Sequence, residues 1–408
     1  MFLFPECAGR LLLALVALCC ASIAWAQPRL SADDAVERAL SHESWQQEWQ
    51  SSVEMARGDV TLARTLPNPS LLLSRETLAD PAGGEETRLM LAQPLEFGGR
   101  RSARIRAAEA GLAVAEAASV RDQRQVRAEV LRAYYAAVAA EQNLQARATA
   151  LTALEALAGV AETRRRGGDL SGYEARRIQQ AAGQARAVHA DTEAAVQAAR
   201  AALAAWAGPD AATAILDERI PLPELPESPG EASLGGTDLA VAAAERARAE
   251  AELSAASSLS LPITVGLGRT RLRQGDWSDD ALLLEVEVGL PLFDRRQGER
   301  AQARAALSLA EARHEREQRQ LAVRRAALLE QARVLRTSAE RITLELLPEA
   351  TQLTALARAS FAEGELDLVG LLDAFEAEAA LVERGLQDRL RALDAALTLE
   401  SLMPSPQR

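Results

Sequence analysis

The residues of this chain that could do chemistry are scattered. Its three histidines, His42, His189 and His314, lie far apart, and its three cysteines (Cys7, Cys19, Cys20) all sit near the N-terminus. No His/Cys grouping has the spacing of a metal-ligand set. No P-loop, dinucleotide fingerprint, G-x-S-x-G or H-E-x-x-H occurs. Enzymatic turnover, a cofactor and a resident metal are therefore not expected. What remains is charge at turns and on alternating segments. Arg164-Arg165-Arg166 precedes Gly167-Gly168, Glu363-Gly364-Glu365 marks a second glycine break, and Glu285 and Glu287 alternate with apolar residues. Charge so placed can guide a passing ion or meet a docking partner; it does not build a catalyst.

The elements that must carry these residues form an internal repeat. Residues 60–101 and 255–298 are two imperfect copies of one pattern. Each has a proline-marked start (Leu66-Pro67-Asn68-Pro69; Leu261-Pro262), two alternating strands around a polar tip, and a Pro-Leu exit. Pro94 and Pro291 lie 197 residues apart, and Gly168 and Gly364 lie 196 apart. Two independent landmarks at nearly one spacing indicate a duplicated unit.

The expected order is a leader 1–26, a first repeat 27–207, a proline-rich crossover 208–236, a second repeat 237–401 and a tail 402–408. Arg10, the apolar run Leu11–Cys20 and Ala24-Trp25-Ala26 read as a secretory signal with its cleavage site. A lipidated start at Cys19 or Cys20 is the competing reading. In the first repeat a helix from Ser31, a plausible N-cap, runs to about Leu62. A hairpin about 69–97 follows, then a long helix pair with its tip about 164–171. In the second repeat the hairpin is about 261–292 and the tip about 361–367, with Pro348 kinking or interrupting the long helix. From Arg100 to Arg166 there is no proline, and Val126, Val130, Tyr134 and Val138 form one stripe. Some 65 helical residues span about 100 Å.

Composition narrows the function classes. Aromatic residues are only 3%, so a large globular core is not expected, and the net charge of −12 argues against nucleic acid as a partner. The strands argue for lipid. Leu282, Leu284, Val286, Val288 and Leu290 fall on one face, opposite Glu285 and Glu287; Ile263, Val265 and Leu267 oppose Thr264. Strands of about nine to eleven residues suit a tilted bilayer crossing. A sheet in lipid must close on itself, and the smallest single-chain barrels use eight strands, so a four-stranded chain must oligomerise. Glu285, Glu287 and Thr264 then face a wet lumen. A periplasmic coiled-coil rod without a pore is the alternative from another class.

The chain resembles the TolC-like outer-membrane efflux proteins along essentially its whole mature length. The resemblance rests on Leu66-Pro67-Asn68-Pro69, the exit Gln93-Pro94-Leu95-Glu96-Phe97-Gly98-Gly99-Arg100, the duplication, and Phe361-Ala362-Glu363-Gly364-Glu365 followed by Leu371-Leu372-Asp373-Ala374. It implies a mainly α protein with a β-barrel part. As a homotrimer it would form a 12-stranded outer-membrane barrel continuous with a periplasmic α-helical barrel, in a Gram-negative bacterium. The implied partners are a periplasmic adaptor and an inner-membrane RND-type pump. The implied pore constriction is Asp373, with Asp367 and Glu365 nearby, while Gly370 stands where the family carries a further acid. The adaptor-docking tips would be Arg164, Arg165, Arg166, Gly168 and Gly364. Details of the first lead-in and exit look most like the heavy-metal cation branch; a general drug-efflux or type I secretion duct is the alternative.

Overall fold

The computed structural model describes residues 29–78, 84–217, 219–226, 235–258 and 261–403. The expected leader 1–26, with Cys19 and Cys20, lies outside them, as does most of the first hairpin tip. In chain order the elements are β1 (Arg29–Leu30), α1 (Ala32–Ser41), α2 (Glu43–Arg64), β2 (Ser70–Leu78), β3 (Gly84–Glu96), α3 (Arg100–Gly167) and α4 (Gly172–Ala207). They continue with β4 (Ile215–Leu216), α5 (Thr237–Ser257), β5 (Pro262–Gln274), β6 (Trp277–Val288), α6 (Gln297–Arg341), α7 (Leu347–Glu363) and α8 (Leu368–Ser401). A 3-10 turn, Pro209–Ala212, precedes β4, and a π-helical turn, Ile342–Leu346, joins α6 to α7. No described helix is long and apolar enough to cross a membrane.

The chain divides into two compact units. The first comprises residues up to 42, 126–227 and 328–398. Its opening helix is capped as a box: Asp34 N–H donates to Ser31 Oγ (3.1 Å) and Ser31 N–H to Asp34 Oδ2 (3.2 Å). A single helix to about Leu62 was expected, but the chain leaves the helix at His42 (ψ 129°) and restarts at Glu43. Ser41 Oγ and His42 N–H turn back onto the carbonyls of Arg38 and Ala39 (3.1 and 3.3 Å), local bonds that compete with helix continuation.

Within this unit Val126, Val130, Tyr134 and Val138 are all buried. Tyr134, fully buried, donates its hydroxyl to Leu30 O (2.8 Å) and accepts from Asp217 N–H (2.8 Å). One phenol thus ties the two strands of a small parallel ladder, Arg29↔Ile215 and Leu30↔Leu216, to α3. Burial pushes its pKa up to about 12, so the hydroxyl remains a donor. Arg200 fastens the turn beside β4 through Ala214 O (2.5 Å) and pairs with Glu141. The 208–236 crossover is therefore in part a packed element.

The expected kink at Pro348 takes the form of the π-helical turn. Proline lacks an N–H and its ring crowds the carbonyl four residues back, and the wider turn at Ile342–Leu346 absorbs both effects. Gly385 on α8 leaves it room, since a Cβ there would lie 3.0 Å from Ile342 Cγ2. One turn on, fully buried Asp388 accepts from Ser338 Oγ (2.7 Å) and Arg384 Nε (3.2 Å).

The second unit comprises residues 43–125, 228–327 and 399 onward. Its centre is a four-stranded sheet in the order β2-β3-β5-β6. All pairings are antiparallel, and the two repeats meet at β3–β5, where Leu91 faces Leu267 and Pro94 faces Thr264. The second hairpin was expected to reach 292, but β6 ends at Val288. There Gly289 N–H closes onto Pro262 O (2.9 Å), and a Cβ at Gly289 would strike Pro262 Cγ at 2.5 Å. Neither β2 nor β6 has a partner on its outer edge among the described residues.

Candidate functional site: the turn tips and the polar sheet face

The two tips of the first unit are built on the same register. At the first, α3 ends at Gly167 and Gly168 turns left-handed (φ 87°), with Asp169 N–H bonded to Arg164 O (2.9 Å). At the second, α7 ends at Glu363, Gly364 has φ 81°, and Glu365 N–H bonds to Ser360 O (2.8 Å). Three residues after each glycine comes the cap of the return helix. Ser171 Oγ accepts from Glu174 N–H (3.2 Å), and Asp367 Oδ1 accepts from Gly370 N–H (2.9 Å). Glu174 completes a capping box on Ser171 N–H (3.1 Å), whereas Gly370, at the equivalent place, has no side chain to do so. The hydrogen bonds from Ser171 hold the Glu174 carboxyl below its usual range, against burial and the like charge of Asp367.

Charges around these turns are largely engaged. Arg164 donates to Ala362 O (3.0 Å) and lies 5.9 Å from the Phe361 ring centroid, so the first tip clasps the second. Arg165 and Arg166 both hold Glu162, at 2.8 and 3.0 Å. Their hydrogen bonds bring the Glu162 carboxyl down to about 2. Glu162 joins the tip without having been named from the sequence; its position one helical turn before the arginines was the available signal. Beneath, Leu170 and Leu366 pack on a core that includes Ile178, Phe361, Leu368, Leu371 and Phe375. On α8, Leu371, Leu372, Ala374 and Phe375 are buried while Asp373 is exposed. Neither Asp373 nor Glu365 makes an ion pair or side-chain hydrogen bond among the described residues. Asp367, by contrast, is committed to its cap through one oxygen.

In the second unit, register puts Thr264 opposite Glu287 and Gly266 opposite Glu285, so Thr264, Glu285 and Glu287 share one face. Met90 lies on that face, buried, in a cradle formed by Gly266 and Gly268. A Cβ at Gly266 would come 2.6 Å from Met90 Sδ, and one at Gly268 would come 2.5 Å from Leu89 O. The alternate glycines of β5 were the sequence signal for so close an approach. On the opposite face Leu71, Leu73, Leu89, Leu91, Leu267, Leu282, Leu284 and Val286 are exposed, Leu282 at 87%. An apolar surface this continuous belongs against lipid.

The first lead-in and exit segments lock together. Gln93 Nε2 donates to Pro67 O (2.9 Å), Arg101 caps the end of α2 at Arg64 O (2.7 Å), and Arg104 donates to Ala63 O (3.1 Å) while pairing with Glu96. Gly98 and Gly99, both with positive φ, make the turn between strand and helix.

Comparison with known proteins points one way. A family model described as "Outer membrane efflux protein" matches residues 36–209. The cobalt-zinc-cadmium resistance protein CzcC of Cupriavidus metallidurans is 28% identical over 330 residues, covering 79% of this chain and 77% of that protein. The family match covers residues 36–209, and the likeness to CzcC carries the resemblance over most of the chain. Solved structures agree on the fold. The outer membrane protein VceC of Vibrio cholerae superposes with a TM-score of 0.75 at 20% identity, over 91% of this chain and 95% of that one. The CmeC outer membrane channel of Campylobacter jejuni does so with a TM-score of 0.77 at 14% identity, over 91% and 85%.

The chain is an outer-membrane efflux channel protein that extends into the periplasm. It has the mostly helical fold of these channel structures, with the sheet of the second unit as its β part. The tips gather Arg164, Arg165, Arg166, Gly168 and Gly364 with Glu365, Asp367 and Asp373 in the first unit. Thr264, Glu285 and Glu287 are grouped separately, on the sheet.

Proposed function

We propose that three copies of this chain close one barrel and passively conduct divalent metal cations outward, supplied by an inner-membrane RND-type pump through a periplasmic adaptor. The observation that carries this reading is the four-stranded sheet with an apolar face and two open edges. Unpaired backbone in lipid costs several kcal/mol per group, roughly, so β2 of one copy must take β6 of the next. Three copies give a barrel wide enough for a wet lumen lined by Thr264, Glu285 and Glu287.

Cation preference is supported by the likeness to a protein named for cobalt, zinc and cadmium resistance and by the electrostatics of the second tip. Asp373 is exposed and uncompensated, so three copies around an axis concentrate negative potential. Glu365 adds to that field, and Asp367 contributes the charge its cap leaves over. The paired turns at Gly168 and Gly364 present the rigid end that meets the adaptor. Arg165 and Arg166 reach it as a salt-linked group with Glu162, while Arg164 holds the two turns together.

Growth of a deletion strain across divalent metals, dyes and detergents tests the substrate. Sensitivity confined to metals is the expected result. Sensitivity to dyes and detergents with none to metals would transfer the channel to drug efflux.

A further inference from the structure

The apolar face of the sheet changes character towards the hairpin turns. Leu282 on β6 is opposite Arg269 on β5, and beyond that rung the same face carries Arg271 opposite Asp280 and Arg273 opposite Glu85. Arg75 on β2, opposite Thr87, joins them. Arg271 donates to both oxygens of Asp280 (2.9 and 3.1 Å), Arg269 pairs with the same carboxylate, and Arg75 pairs with Glu85. Arg273 makes no ion pair among the described residues. The cluster therefore holds four guanidiniums against two carboxylates, in an open groove lined by Glu85, Thr87, Leu89, Arg269, Arg271 and Asp280.

Three features fix what this surface meets. It lies at the turn end of the strands, away from the ends that lead into helices, so with the helices in the periplasm it sits at the outer leaflet. Strand β5 is paired on both sides, by β3 and β6, so its outward face stays open to lipid after the edge strands pair between copies. And on the apolar face of the described strands no tryptophan or tyrosine supplies the aromatic girdle usual at this height. Arginine at mid-bilayer would be costly, but at the rim of the apolar band it is nearly free and offers planar forks that match phosphate.

We propose that this arginine cluster binds the phosphates of lipopolysaccharide, the phosphorylated glycolipid of the outer leaflet, with its acyl chains lying on Leu89, Leu91, Leu282 and Leu284. The inference rests on the barrel reading above. Arg273 is the open donor, and Asp280 holds Arg269 and Arg271 forward while competing with the phosphate for them.

The test is lipid binding by the full-length protein in detergent, read by native mass spectrometry. The probes are a phosphorylated lipid A, its enzymatically dephosphorylated form, and phosphatidylglycerol. Removing the phosphates should weaken binding by about tenfold or more, and phosphatidylglycerol should bind no better than the dephosphorylated form. The double variant R271S/R273S should lose the phosphate preference, and D280N should bind the phosphorylated form more tightly. Equal affinity for the two lipid A forms would overturn the proposal, as would phosphatidylglycerol matching phosphorylated lipid A. The wild-type comparison needs no variant to fold. Bilayer conductance, measured alongside, separates the two readings: a conducting protein with no phosphate preference refutes only this inference, whereas loss of conductance in the wild type refutes the barrel beneath it.

Discussion

Replacing Tyr134 by phenylalanine isolates a single hydroxyl at the one point where residues 30, 134 and 217 are joined. The ring remains, so packing is conserved and no cavity opens. Two bonds of 2.8 Å are lost, one to Leu30 O and one from Asp217 N–H. Leu30 is fully buried, so water cannot replace the phenol at its carbonyl, at a cost of about 1–3 kcal/mol. Asp217 is exposed and water replaces its bond, which adds only a few tenths. The expected local destabilisation is about 2 kcal/mol, roughly a thirtyfold rise in the opening equilibrium of this ladder. Hydrogen–deuterium exchange on the detergent-solubilised protein reads it directly. Amides of β1, β4 and Asp217 should exchange faster by about that factor, while α8 is unchanged. Exchange at β1 and β4 within threefold of wild type, on that logic, would mean the phenol is not the tie described. Protonation gives a second handle. The folded pKa of about 12 lies above the usual phenol value, so folding stability should be constant below about pH 10 and fall as pH rises towards 12.

Three further expectations follow from named contacts. Gly268→Ala places a methyl 2.5 Å from Leu89 O, against backbone that cannot yield, and should cost about 1–3 kcal/mol, seen as lost heat resistance of the oligomer on gels; Gly266→Ala meets only the flexible thioether of Met90 and should be milder. Asp373→Asn should lower cation-over-anion permeability severalfold in planar bilayers without changing oligomer mass, and unchanged selectivity would remove Asp373 from the constriction. The Glu162 carboxyl, depressed to about 2, holds Arg165 and Arg166 at any pH above its unfolded value and releases them only as pH falls through about 2. Adaptor crosslinking at the tip should therefore be flat between about pH 5 and 8, and a step in that range would contradict the clamp.

Local patterns carried most of the fold into the sequence. The alternation in β5 and β6 is a period-two signal that needs no partner to be read, and the proline-free stretch from Arg100 gives helix length directly. What stayed hidden depends on distant residues. Nothing near Tyr134 announces Leu30 or Asp217, and nothing near Arg164 announces Ala362. The break at His42 was missed because the apolar spacing continues past it, while Ser41 and His42 divert only a few backbone bonds. Asp367 shows the same limit at the candidate site: read as a further acid near Asp373 it suggests pore charge, and only the turn geometry reveals a helix cap. Asp373 was singled out by the resemblance alone; its exposure beside buried Leu371, Leu372, Ala374 and Phe375 is what the structure adds.

The central claim is that copies of this chain close a water-filled, cation-preferring pore. Current across a planar bilayer containing the purified full-length protein tests it most directly. Discrete conductance steps with a reversal potential displaced towards cations in a salt gradient are the predicted result. A bilayer that stays silent, or steps with a reversal potential at zero or displaced towards anions, would contradict it.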